Sequence, residues 1–107
     1  MAALTKEVRI TNLLSMAQRA RRVASGAFAV TEAIKKREAK FLLVAEDAAD
    51  ESKKTFLGLA DKYKVPYAIV LDRETLGGCL GKEYRAAAAV TDAGFAKKLQ
   101  QLTEESV

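Results

Sequence analysis

The chain has 107 residues, half of them apolar, with 18 lysines and arginines against 14 aspartates and glutamates, a net charge of +4. One cysteine (Cys79) and no histidine exclude an intramolecular disulfide, histidine-based zinc sites and any nucleophile activated by an imidazole. No apolar run nears the roughly 20 residues of a membrane helix, and the first residues mix charges too early for a signal peptide, so one cytoplasmic domain over 1–107 is expected.

In chain order, Ile10, Leu13, Leu14, Ala17 and Ala20 recur at helical spacing from Lys6 to about Arg21. Val23–Ser25 reads as a short extended segment ending at Gly26. A second helix follows from Ala27 to about Lys36, with Ala27, Val30, Ala33 and Ile34 on its inner face. The uninterrupted run 41–45 (Phe-Leu-Leu-Val-Ala) predicts a strand buried on both faces. Asp50-Glu51-Ser52 suits a helix start, and that helix uses Phe56, Leu59, Ala60 and Tyr63. Pro66 stops it, and 67–71 reads as a second buried strand. Asp72 predicts the cap of a short helix, loosened by Gly77, Gly78 and Gly81. A small-residue strand over 86–90 leads to Thr91-Asp92, which caps a last helix through Phe95, Leu99 and Leu102. The order α-β-α-β-α-β-α-β-α predicts an α/β protein, a three-layer α/β/α sandwich with a four-stranded sheet.

The charge is local. Between Arg19 and Lys40 stand seven basic residues (Arg19, Arg21, Arg22, Lys35, Lys36, Arg37, Lys40) against Glu32 and Glu38, a net +5 that leaves −1 for the remainder. Such a patch is either the footprint of a phosphate-backbone binder or a solvated helix flank. Gly77-Gly-Cys-Leu-Gly81-Lys82 fails as a nucleotide phosphate loop. Its glycine spacing is one short, Glu83 replaces the hydroxyl residue, and a helix precedes it. Its Lys82, Tyr84 and Arg85 still form a reasonable RNA-contacting loop, since such side chains meet phosphates and stack on bases. The carboxylates Glu46, Asp47, Asp50 and Glu51 suggest either a metal or acid-base site or, more simply, a helix-capping loop. Cys79 reads as a packing residue, and Phe28 as packing first with stacking as the alternative. No metal or cofactor is implied.

Two stretches carry a resemblance: 23–34 with 39–47, and Val65-Pro66-Tyr67 through Leu76-Gly77, Leu80-Gly81-Lys82 and Ala86 to Val90. With 13–20 and 91–98 the chain resembles the ribosomal L-seven-Ae and L-thirty-e superfamily of kink-turn RNA binders, in its bacterial YlxQ-type branch. The resemblance implies a mixed sheet that binds sharply bent, structured RNA. The missing histidine and unpaired cysteine argue against catalysis, and a monomer with ribosomal proteins as further partners is expected. A protein-interaction module is the alternative. In the family a Gly-Ala-Asn-Glu-Val-Thr-Lys stretch opens the second helix and reads the kink-turn. Here Gly26, Ala27, Val30 and Thr31 match it, while Phe28, Ala29 and Glu32 replace its Asn, Glu and Lys. The expected RNA contacts are Arg21, Arg22, Gly26, Ala27, Phe28, Thr31, Lys36, Lys40, Lys82, Tyr84 and Arg85.

Overall fold

The computed structural model describes residues 5–104. Each helix follows from an apolar stripe and a stop signal. In α1 (Lys6–Arg19), Ile10, Leu14 and Ala17 are buried on one face, and the Thr5 side chain accepts the Val8 amide to start the helix. β1 (Val23–Ser25) leads through Gly26 into α2 (Ala27–Lys35), which buries Val30, Ala33 and Ile34. β2 (Phe41–Val44) is buried throughout, and α3 (Asp50–Tyr63) buries Phe56 and Ala60. β3 (Tyr67–Ile69), α4 (Arg73–Cys79), β4 (Ala87–Val90) and α5 (Ala93–Glu104) complete the chain.

The strands order as β1-β4-β2-β3, with β4 antiparallel to both neighbours and β2 parallel to β3, so the sheet is mixed. Large residues of β2 face small ones of β4: Leu42 opposes Ala89, Leu43 opposes Ala88 and Val44 opposes Ala87. The alanines leave room for helices above and below, which is what a close-packed centre between two helical layers needs. α2 packs with α3, and α1 packs with α4 and α5. Among the described residues no helix is long and apolar enough to cross a membrane.

Several expectations need correction. The 67–71 segment is not a buried strand. It is the three-residue edge of the sheet, with Tyr67 and Ile69 at 42% and 45% exposure, because an edge strand has a neighbour on one side only. Gly77 and Gly78 do not loosen the chain but lie inside α4, which continues to Cys79. Asp50 starts α3 without a side-chain cap, the cap position being Ala49. Ala27, the first residue of α2, is exposed rather than buried. Asp72 and Asp92 do cap, accepting the Thr75 and Phe95 amides at 2.7 and 2.9 Å.

Three helices end in the same way, and all three ends lie at one end of the sheet, before β1, β2 and β3. After α1, the amides of Arg21 and Arg22 donate to the Gln18 and Ala17 carbonyls, each at 2.9 Å, with Arg21 at φ 59°. After α2, Arg37 and Glu38 repeat the pattern onto Ile34 and Ala33, with Arg37 at φ 61°. After α3, Lys64 (φ 57°) and Val65 repeat it onto Asp61 and Ala60. This left-handed stop ordinarily takes glycine. An L-residue there costs about 1–2 kcal/mol, of which a cation at a helix C-terminus recovers about 0.3–1 kcal/mol.

Candidate nucleic-acid interface

The C-terminal ends of β1, β2 and β3 and the start of β4 share one end of the sheet, as the pairings of Ser25 with Ala88 and of Val44 with Ala87 and Ile69 require. Here β1 turns into α2 at Gly26, whose φ of +89° favours glycine. No side chain caps α2, so its first amides face outward at the positive end of the helix dipole. Phe28, in the first turn, is 80% exposed. That overturns its reading as a packing residue, because Val30, Ala33 and Ile34 already fill the inner face. Thr31 lies one turn on, beside Phe28 on the helix surface.

The loop before β4 brings Lys82, Tyr84 and Arg85 to this end. It is fastened at its root: the Lys82 amide donates to the Gly77 carbonyl at 2.8 Å. A Cβ on Gly77 would lie 2.9 Å from the backbone of Glu83 and Tyr84, so only glycine admits this approach. Tyr84 is left 55% exposed. The Arg85 guanidinium donates from Nε to Ser25 Oγ at 3.2 Å and from NH1 to the Tyr84 carbonyl at 3.0 Å. Its backbone amide donates to the Arg73 carbonyl at 3.1 Å. Arg73 in turn donates its amide to Asp47 Oδ1 at 2.8 Å and ion-pairs with it at 3.5 Å. A relay of Asp47, Arg73, Arg85 and Ser25 thus ties this end together across the sheet and holds the loop against Gly26.

Sequence reasoning missed Ser25, Arg73 and this use of Asp47. A serine just before the helix-opening glycine, with an arginine just before the last strand, is the only signal it offered. Two carboxylates at this end have structural roles: Asp47 serves Arg73, and hydrogen bonds from Thr75 hold the Asp72 carboxyl below its ordinary value. Among the described residues no three metal-ligating side chains cluster. Cys79 is half-buried, its thiol donating to the Leu76 carbonyl at 3.3 Å, and burial pushes the thiol up from its ordinary value.

The structure divides the expected contacts. Gly26, Ala27, Phe28, Thr31, Lys82, Tyr84 and Arg85 gather at or beside the end just described. Arg21, Arg22, Lys36 and Lys40 do not join them. Arg22 precedes β1, four residues or about 13 Å from Gly26 along the strand, and Lys36 follows the last turn of α2. The Thr91 amide donates to the Arg22 carbonyl at 2.8 Å and the Lys40 amide to the Val90 carbonyl at 2.7 Å, which fixes both at the opposite end. Glu32 approaches Lys36 at 3.9 Å.

A mixed sheet between two helical layers, with an uncapped helix N-terminus and a loop carrying Lys82, Tyr84 and Arg85 at one end, defines the chain as an α/β sandwich. Residues 8–100 match the Ribosomal protein L7Ae/L30e/S12e/Gadd45 family, and the chain belongs to that family. It is 45% identical over 92 residues to the RNA-binding protein YlxQ of Bacillus subtilis (strain 168), covering 86% of this chain and 92% of that protein. An Enterococcus faecium protein of the same name is 31% identical over 93 residues, covering 87% and 89%. Among solved structures, a Bacillus halodurans C protein of unknown function superposes with a TM-score of 0.87 at 33% identity, covering 91% of this chain and 98% of that one. A 15.5 kD RNA-binding protein of Giardia lamblia shares the fold, with a TM-score of 0.74 at 17% identity over 95% and 93% of the two chains.

Proposed function

We propose that the chain binds folded RNA, ribosomal or another folded cytoplasmic RNA, as a monomer and without catalysing a reaction on it. The observation that carries this reading is the convergence of Phe28, Tyr84, Arg85 and the uncapped start of α2 at one end of the sheet, in a chain whose curated relatives are named RNA-binding proteins. Unstacked bases lie on Phe28 and Tyr84, while the amides after Gly26 and the Lys82 ammonium take phosphate. Arg85, already tied to Ser25, orients this face.

Phe28 and Ala29 offer no hydrogen bond to a base edge, and Glu32 is turned toward Lys36. A missing bidentate base contact forfeits about 1–3 kcal/mol of discrimination. RNA shape and stacking therefore set the preference here more than the base-edge readout of a kink-turn. Equilibrium binding to a kink-turn, a plain duplex and a single strand over a salt series tests this. A preference for folded RNA with unstacked bases is expected; no binding to any of them at about 50 mM salt refutes the reading. The high exposure of Phe28 beside exposed Ala27 favours one alternative, docking on a ribosomal or RNA-processing protein. Copurification that survives nuclease treatment would establish it.

A further inference from the structure

We infer that the opposite end of the sheet is a second RNA surface, one that grips the phosphate backbone of a segment of the bound RNA away from the Phe28 end. The inference rests on the RNA-binding reading above.

The molecule is electrically polar along its strands. At the Phe28 end, residues 46–54, 72–74 and 82–85 hold five cations against seven carboxylates. At the far end, residues 21–22, 35–40, 61–64 and 91–92 hold eight cations against three carboxylates. The net positive charge of the chain therefore sits away from the stacking site. All eight far-end cations are exposed. Among the described residues only Glu32 comes within ion-pair distance of any of them, at 3.9 Å from Lys36.

These charges come from separate stretches of chain that the fold brings together. Arg22 and Lys40 flank the end of β4 through hydrogen bonds to Thr91 and Val90. Lys64 stands just before β3, so the row from β1 to β3 crosses three strand spacings, about 14 Å. Arg37 lies over the Tyr63 ring at 5.4 Å from its centre, and Lys62 at 5.7 Å, so the end of α2 stands beside the end of α3. A row of this length matches a stretch of polyanion rather than a single phosphate.

Strain supplies a second argument. Arg21, Arg37 and Lys64 occupy left-handed positions that glycine fills without cost. All three lie at this one end, where the chain keeps a cation in place of the relaxed residue. Compensation of helix dipoles is the competing account, and it requires no RNA.

The test uses glycine at those positions, because R21G/R37G/K64G removes three charges while easing the backbone. RNA affinity is measured from low to high salt for the wild type, for this triple variant and for a K40Q/K62Q variant, with a thermal melt of each. The triple variant is expected to melt no lower than wild type, to bind about tenfold more weakly, and to lose about 2–3 from the log–log salt slope. K40Q/K62Q is expected to lose about 1–2 from the same slope. A wild-type slope in both variants overturns the second surface and leaves the Phe28 reading standing. If wild type binds no RNA at low salt, both readings fall together. If the variants instead lose a nuclease-resistant protein partner at an unchanged RNA slope, the far end is a protein surface and the inference is wrong.

Discussion

Phe28 is a large aromatic side chain left in water at the mouth of a helix, where its neighbours Val30 and Ile34 are fully buried. Replacing it should leave stability untouched and weaken RNA binding. Phe28→Ala is expected to cost about 1–3 kcal/mol per stacked base, or about 5- to 150-fold in affinity, at an unchanged melting temperature. Gly77 makes the opposite prediction. A methyl group there would meet the backbone of Glu83 and Tyr84 at 2.9 Å, so Gly77→Ala should destabilise the fold by about 1–3 kcal/mol, measured by denaturant titration. The sequence could suggest Phe28 as a contact but not place it. Helical periodicity put Ala27 on the inner stripe, but it is the first residue of α2 and is left exposed there.

At the scale of elements, the helix ends make the firmest predictions. Arg37→Gly relieves a positive φ of 61° and should stabilise the protein by about 1 kcal/mol, raising the melting temperature by about 4–8 °C in a domain of this size. The cap of α4 depends on pH. Hydrogen bonds from Thr75 hold the Asp72 carboxyl below its ordinary value of 3.8, so its stabilising contribution is present above that value and is lost as pH falls through the lower folded one. Melting temperatures of wild type and Asp72→Ala should therefore differ at neutral pH and converge in acid below 3.8. Apolar runs and caps made the alternating elements legible before the structure. The edge position of β3 was not, since strand order depends on pairings far apart in the chain and the run 67–71 is as apolar as the buried run 41–45.

Taken whole, the molecule has two unlike ends joined by one sheet: an aromatic end at Gly26 with a small acidic excess and a basic end at Arg22, Lys40 and Lys64. The basic window of 19–40 was visible as a sum, but its contacts could not be read as one site. β1 carries the chain from one end to the other and α2 carries it back, so neighbours in sequence such as Arg22 and Gly26 lie about 13 Å apart. Lys62 and Lys64, more than twenty residues from Lys40, join its end instead. The same separation hid the relay from Asp47 through Arg73 and Arg85 to Ser25. RNA binding at the Gly26 end is tested most directly by ultraviolet crosslinking in cells, followed by mass spectrometry of the nucleotide-modified peptides. Adducts on Phe28 and Tyr84, carrying sequence from a folded RNA, are the predicted result. Their absence, together with a protein partner that stays bound after nuclease treatment, would contradict the account.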